Sequence, residues 1–226
     1  MRANELAQHI SEKEVFRQFP EPELELLAEH AIQRRLRAEE YLCRQDEVWP
    51  FVIFVHTGQL RWVMLSLGGR EYQLFMLDPK DIFWAHSIFD DQPMPASLQA
   101  VGEVEVSVWS KDVILPLLKK NPEAMWEIPR KLTRIMRTAR EIIYGLAFQP
   151  VAGRLARFLL DSLEGSHQET LERDMTLEDM ASTLATSPEV VCRLLYQFQS
   201  DEVIDITRTR ITLKDRDALK KLIEIS

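Results

Sequence analysis

The spacing of apolar residues changes character twice along the chain. Two amphipathic stretches open it and predict helices over residues 11–19 and 23–31, the second preceded by Pro22. From about Ile32 the period shortens to two. Phe51-Val-Ile-Phe-Val55 reads as a buried strand, and Leu60, Trp62 and Met64 alternate, as do Tyr72, Leu74 and Met76, then Val104, Val106 and Val108. Turn-forming clusters separate these runs at Thr57-Gly58, Leu67-Gly68-Gly69, residues 78–81 and residues 90–93. Short strands in series without intervening helices predict a β-sandwich or roll ending near Trp109.

Helical spacing then returns. Lys111–Lys120 predicts a short helix and Pro122–Phe148 a long one. In the long helix Ile128, Leu132, Ile135, Ala139, Ile142 and Leu146 follow a 4-3-4-3-4 spacing, the seam of a coiled coil. That seam points to self-association, although a helix packed on its own β-roll would also show an apolar stripe. Pro129 predicts a kink in the first turns, Pro150 ends the helix, and residues 151–163 predict another.

Residues 176–198 form two short amphipathic runs around a tight break, the pattern of a helix-turn-helix. Thr176, with Asp179 three residues on, predicts a capped start, and Met180, Ala181 and Leu184 give one apolar stripe. Ser187 and Pro188 suit the N-cap and first position of the second helix, which buries Val191, Leu194, Leu195 and Phe198. Glu189, Cys192 and Arg193 are left facing outward. Arginine bonds guanine bidentately and glutamate accepts from cytosine N4, each worth about 1–3 kcal/mol of discrimination. Residues 203–206 and 210–213 predict two short strands around Thr207-Arg208-Thr209, a wing from which Arg208 and Arg210 reach phosphates.

Composition bounds the picture. With 226 residues, 46% hydrophobic and 28% charged, the chain is long enough for two cores, and no apolar run is long enough to span a bilayer. No secretory leader pattern opens it, and the two cysteines, Cys43 and Cys192, are too few for a disulfide framework or an iron–sulfur site, which points to a reducing cytoplasm. Net charge is −8, and residues 151–226 hold 10 Lys+Arg against 14 Asp+Glu, an unfavourable balance for phosphate neutralisation. The long helix carries Arg130, Lys131, Arg134, Arg137 and Arg140. Nothing has the spacing of a nucleophile–base set, a phosphate-cradling loop or a metal-ligand group, so no enzyme is expected.

The order of β-roll, long helix and winged helix-turn-helix, an α+β architecture, resembles the cyclic-AMP receptor protein/FNR family of bacterial transcription regulators. The likeness runs through nearly the whole chain. It is strongest at Gly69-Arg70-Glu71, at Ile143-Tyr-Gly-Leu-Ala-Phe148 leading to Arg154-Leu155-Ala156-Arg157, and across 176–198. The resemblance implies a sensing domain over 1–120, a dimerisation helix over 121–148 and a DNA-binding domain over 149–226. It further implies a homodimer on palindromic duplex DNA, with Ser187, Glu189 and Arg193 at contact positions, Glu189 and Arg193 reading a G·C pair, and RNA polymerase as a further partner. Pro188 replaces an arginine of the cyclic-AMP receptors, implying a different outer base preference. Ala185, Glu202 and Asp46 stand where glycines are usual and are expected to carry positive-φ strain.

The effector pocket departs further. Cyclic-nucleotide binders of this family carry Phe-Gly-Glu-Leu and Arg-Ser-Ala, the glutamate holding the ribose and the arginine the phosphate. Here the stretches read Phe83-Trp84-Ala85-His86-Ser87 and Met94-Pro95-Ala96, which argues against cyclic AMP as ligand. Trp84, His86 and Ser87 are the candidate pocket residues. Carbon-monoxide-sensing haem regulators of the family carry a similar Phe-x-x-His-Ser run, so His86 as an axial haem ligand stays open beside a structural role, with the N-terminus, Met76, Met94 or His56 as a second ligand. An interaction module with vestigial DNA binding is the remaining alternative. Cys43 reads as a small core residue, Cys192 as packing or brushing DNA, and Trp49, Phe51 and Phe54 as β-roll core and rim. His9, His30 and His167 lack metal-ligand spacing.

Overall fold

Helix α1 (Ala3–Ser11) opens the chain and buries Leu6 and Ile10, one turn apart. No helix covers residues 11–19: Phe16–Gln18 form a single 3-10 turn, while Val15, Phe16 and Phe19 are buried. Pro20 disfavours helical backbone at the preceding residue, and Phe19 is extended at φ −86, ψ 137, which separates this turn from α2. Helix α2 (Glu21–Glu29) starts earlier than the spacing suggests, because Pro22 is tolerated in a first turn that needs no N–H from it. The computed structural model describes residues 3–163, 169–172 and 175–224. They divide into two units, 1–135 and 136–226, a division that falls inside the long helix.

In the first unit β1 (Ile32–Leu36), β2 (Tyr41–Cys43), β3 (Phe51–Leu65), β4 (Glu71–Leu77), β5 (Ile82–Trp84) and β6 (Ser97–Ser110) form an antiparallel sheet. Its order is β1-β6-β3-β4, with β2 on β6 and β5 on β3; the four-residue α3 (Ser87–Asp90) lies between β5 and β6. Val52, Ile53, Phe54 and Val55 are buried on both faces of β3, opposite Val106, Val108 and Trp109. The Trp109 indole N–H donates to the Leu27 carbonyl at 2.6 Å and fastens α2 to the sheet. On β4 Tyr72, Leu74 and Met76 are no more buried than their neighbours, so the alternation there does not mark a core face.

Thr57-Gly58 is not a turn. Strand β3 runs through it with bulges between Val55 and Gln59, and Gly58 sits at φ +72 with its backbone pressed on β6. A Cβ there would lie 2.2 Å from the Glu103 carbonyl oxygen, so only glycine fits. Helices α4 (Lys111–Lys120) and α5 (Pro122–Phe148) follow at the expected bounds, and α5 continues through Pro129 as one helix. Ile128 packs with Ala124 into the β-roll core, so this first seam position serves its own subunit.

The second unit contains α6 (Val151–Asp161), β7 (Thr170–Glu172), α7 (Leu177–Thr183), α8 (Pro188–Ser200), β8 (Ile204–Ile206), β9 (Arg210–Leu213) and α9 (Arg216–Glu224). Strands β7-β9-β8 form an antiparallel sheet. Leu155, Leu159, Met180, Leu184, Val191, Leu195, Phe198, Ile211 and Leu219 make its core. Helix α9, unforeseen in the sequence, packs on α6 at Gly153, where an added Cβ would come 2.8 Å from the Leu222 carbonyl oxygen.

Candidate nucleic-acid interface and sensor pocket

Helix α7 begins with a reciprocal cap. The Asp179 N–H donates to Thr176 Oγ1 at 3.1 Å, and the Thr176 N–H and hydroxyl donate to the Asp179 carboxylate at 3.0 and 2.7 Å. Thr176 is exposed, with its hydroxyl proton engaged in this cap. The turn to α8 passes through Ala185 at φ 50, and Glu202 after α8 and Asp46 in the first unit also adopt positive φ, at 59 and 67. Ser187 is the N-cap residue of α8 but its hydroxyl does not cap the helix. The hydroxyl lies beside Glu189, and together with that residue's own N–H it holds the Glu189 carboxyl below its ordinary range.

Glu189 and Arg193 are exposed one helical turn apart on α8, Ser187 and Cys192 are half-buried, and Val191, Leu195 and Phe198 hold the opposite face in the core. The turn itself is braced from α6. Arg154 donates through Nε to the Leu184 carbonyl at 3.1 Å and through Nη1 to the Gln149 carbonyl at 2.9 Å. The sequence showed Arg154 only as part of a resemblance; its role becomes visible once Leu184 is seen to end α7. In the wing, Thr207 N–H donates to the Arg210 carbonyl at 2.9 Å, and Arg208 is exposed at the tip. Arg210 is exposed too, but its Nε meets Glu172 at 3.0 Å, an exposed pair of little intrinsic worth.

Along α5, Leu132, Ile135 and Leu146 are exposed and Ala139 and Ile142 half-buried. Met136 and Ile143, outside the expected seam, are more exposed still, at 72% and 64%. The bases are largely engaged: Arg130 with Glu127, Lys131 with the Ile82 carbonyl, Arg134 with Glu14 and Arg140 with Glu141.

His86 precedes α3, and its ring stacks on Trp62 at 5.4 Å between centroids, with Phe83 at 6.4 Å. Phe75 and Phe83 complete the cluster at 4.7 and 5.6 Å from Trp62. Burial pushes the His86 imidazole toward its neutral form, a tendency that Asp90 opposes. Its Nδ1 and the Trp62 Nε1 are both buried without a hydrogen-bond partner. Trp84 and Ser87 do not share these surroundings. Trp84 stacks on Phe16 and Phe89, and the Ser87 hydroxyl donates to the Gln92 carbonyl and accepts from the Trp49 N–H. The chain leaves the strand at Ala85, so alternation along β5 does not carry Trp84 and His86 to one site.

An imidazole pushed toward its neutral form suits an axial haem ligand, although the buried Nδ1 lacks the carbonyl acceptor that usually orients one. As second ligands, Met94 is fully buried, Met76 is half-buried on β4 and the His56 Nε2 is bonded to Ser107 at 2.8 Å, while the N-terminal Met1 lies outside the described residues. His167 also lies outside them. Among the described residues no cluster of three or more His, Cys, Asp or Glu could hold a metal ion. Cys43 is a core residue whose thiol burial pushes up to about 12, far from a reactive thiolate.

A β-roll of the cyclic-nucleotide-binding type, followed in the chain by a long helix and a winged helix-turn-helix, defines a DNA-binding transcription regulator. The family model of the cyclic nucleotide-binding domain matches residues 33–121, and that of the Crp-like helix-turn-helix domain matches residues 153–222. The chain is 28% identical over 170 residues to the CRP-like cAMP-activated global transcriptional regulator of Mycobacterium tuberculosis, covering 73% of this chain and 76% of that protein. It is 25% identical over 202 residues to the cyclic AMP receptor protein of Thermus thermophilus, covering 89% and 93%. Its fold matches that of a CooA mutant from Carboxydothermus hydrogenoformans with a TM-score of 0.72 at 22% identity, over 86% of this chain and 88% of that one. The chain belongs to the cyclic-AMP receptor protein/FNR (CRP/FNR) family, a family of transcription regulators rather than enzymes. Among the described residues no helix is long and apolar enough to cross a membrane.

Proposed function

We propose that this protein is a homodimeric, sequence-specific DNA-binding regulator whose β-roll has lost the cyclic-nucleotide contacts. The observation that carries the reading is the exposure of Glu189 and Arg193 on one face of α8, a helix whose other face is locked in the core. Entering a major groove, that face presents a bidentate donor and an acceptor to base edges, and Arg208 at the wing tip meets a phosphate. Thr176, Ser187, Cys192 and Arg210 lie around this surface; Arg210 engages DNA by exchanging Glu172 for a phosphate. The α5 residues Leu132, Ile135, Ala139, Ile142 and Leu146 supply the dimer contact, and two-fold symmetry then demands a palindromic operator with half-sites about 34 Å apart. A signal switches such a dimer only by favouring one arrangement of the DNA-binding halves, with residues 147–151 as the pivot. DNA and RNA polymerase as partners place it in the cytoplasm.

Where the cyclic-AMP receptors carry a carboxylate and an arginine, the aligned Ala85 and Met94 are apolar and fully buried. A cyclic phosphate there would be desolvated without a cation. Selection from a random duplex pool tests the reading: an enriched palindrome, with preference over random duplex lost in Arg193→Ala while sedimentation still shows a dimer, supports it. No enriched sequence, or unchanged specificity in the variant, refutes it.

The His86 imidazole, pushed by burial toward its neutral form, favours one second reading, haem sensing, in which His86 would hold the iron and the bound group would supply gas or redox sensitivity. A Soret band lost in His86→Ala supports that reading; protein that takes up no added haem refutes it.

A further inference from the structure

A second concavity in the first unit involves none of Trp62, Phe75, Phe83 or His86. A cavity of about 150 Å³ opens between the N-terminal segment, the turn joining β4 to β5, and α5. Three lysines from these three places line it, Lys13, Lys80 and Lys131, together with Glu14, Asp81 and Trp84. The two carboxylates have other partners. Glu14 is paired with Arg134, and Asp81 accepts the Asp78 N–H at 2.8 Å. Lys131 is half-buried and donates one hydrogen bond, to the Ile82 carbonyl at 2.6 Å, which leaves two of its three N–H groups without an acceptor among the described residues. Lys13 and Lys80 have no ion pair among the described residues.

The site also holds strain. Lys80 sits at φ 74, a conformation a lysine adopts at a cost that glycine would avoid, yet the chain places a cation there. Lys131 is pushed toward its neutral form by burial; Asp81 and Glu14 oppose that push, and Arg134 and Lys13 add to it more weakly. An added negative charge would relieve the cost of that burial. Trp84 and Ile82 form an apolar wall that strengthens charge interactions beside it. At about 30 Å³ per water, the cavity has room for roughly five water molecules, enough for a compact ion.

We propose that this cavity binds a compact dianion, phosphate or a short dicarboxylate, through Lys13, Lys80 and Lys131. Lysines act as point charges and do not demand the planar geometry of a guanidinium site, so both ions share one chemistry. The bound ion ties the N-terminal segment and the β4–β5 turn to the root of α5.

Calorimetric titration of the full chain with inorganic phosphate, and in parallel with succinate, tests this at low ionic strength. We expect one saturable site per chain for at least one of the two, weakened by added salt. The ion that binds more tightly identifies the source. Lys131→Gln and Lys80→Gly should each weaken binding about tenfold. Lys80→Gly also removes the backbone strain, so its melting temperature should hold or rise while affinity falls, a combination a folding defect does not produce. Absence of saturable binding by either ion up to about 10 mM, or unchanged binding in both variants, overturns the proposal. Arg193→Ala should bind the anion as the wild type does, which separates this site from the DNA-reading one.

Discussion

Lowering the pH from about 7 to about 5 tests how β3 holds His56. The imidazole Nε2 lies 2.8 Å from the Ser107 hydroxyl, and its Nδ1 is buried without a partner. Burial, reinforced by nearby positive charge and opposed by Glu105, lowers its pKa from 6.5 to about 4. The unfolded chain therefore takes up a proton near pH 6.5 that the folded unit refuses until about pH 4. Stability is intact above the unfolded value and falls as pH drops through this window. At pH 5 the difference in proton binding amounts to at most about 2 kcal/mol, and because the ring is only half-buried we expect about 1 kcal/mol. Carboxylates lose stability in acid in the same direction, so the comparison must be with His56→Gln, which keeps a partner for Ser107. Urea unfolding followed by tryptophan fluorescence isolates the effect, since Trp49, Trp62, Trp84, Trp109 and Trp126 all lie within residues 1–135. Identical loss of stability in wild type and variant, or an NMR titration of His56 near the ordinary histidine value, would refute the reasoning.

The DNA-facing residues should separate by role. Arg208→Ala is expected to reduce the salt slope of operator binding by about 0.9 per lost phosphate contact, roughly 1.8 per dimer, without changing the selected sequence; fluorescence anisotropy across a salt series measures it. Ile135→Glu puts a charge on the exposed stripe of α5 and should yield monomers in sedimentation runs, with the fold intact by circular dichroism. Gly58→Ala should destabilise the first unit by about 3 kcal/mol or more in urea unfolding, because positive φ and overlap with the β6 backbone add. Arg154→Met removes the hydrogen bond that braces the turn and the one to Gln149 before α6, at a cost of about 1–3 kcal/mol, and should weaken operator and random duplex together.

Much of the architecture was legible because strands and helices differ in period. Val104, Val106 and Val108 alternate and are buried, and α4 and α5 begin and end where the pattern places them. The capping box at Thr176 and Asp179 also follows from local chemistry alone. The misread places share a cause, a local pattern compatible with two backbones. Thr57-Gly58 signals positive φ, which a bulge needs as much as a turn does. Val15, Phe16 and Phe19 fit a helical face, but they are buried from a 3-10 turn, and Pro20 turns the backbone extended at Phe19. Helix α9 escaped notice because its stripe, Leu219 and Leu222, is short and finds its partner only on α6. Lys13, Lys80 and Lys131 meet only because the fold joins three distant segments, and no spacing rule connects them.

The acidic balance of residues 151–226 is offset in part by where some of its carboxylates sit. Asp179 caps α7, and Asp215 accepts the Asp217 and Ala218 N–H groups at the start of α9, at 3.0 and 2.9 Å. Carboxylates fixed at helix N-termini are partly compensated by the dipoles they cap. Glu172 is matched by Arg210 and Asp217 by Lys220. Glu189 stands on the proposed reading face, where an acceptor is useful, and its carboxyl is held below its ordinary range. The two bases on α8 and at the wing tip, Arg193 and Arg208, have no such internal partner among the described residues. On the proposed function, the charges aimed at DNA are few and specific. That composition implies a regulator with weak affinity for random duplex and a shallow salt dependence, whose selectivity rests on base edges more than on phosphate neutralisation.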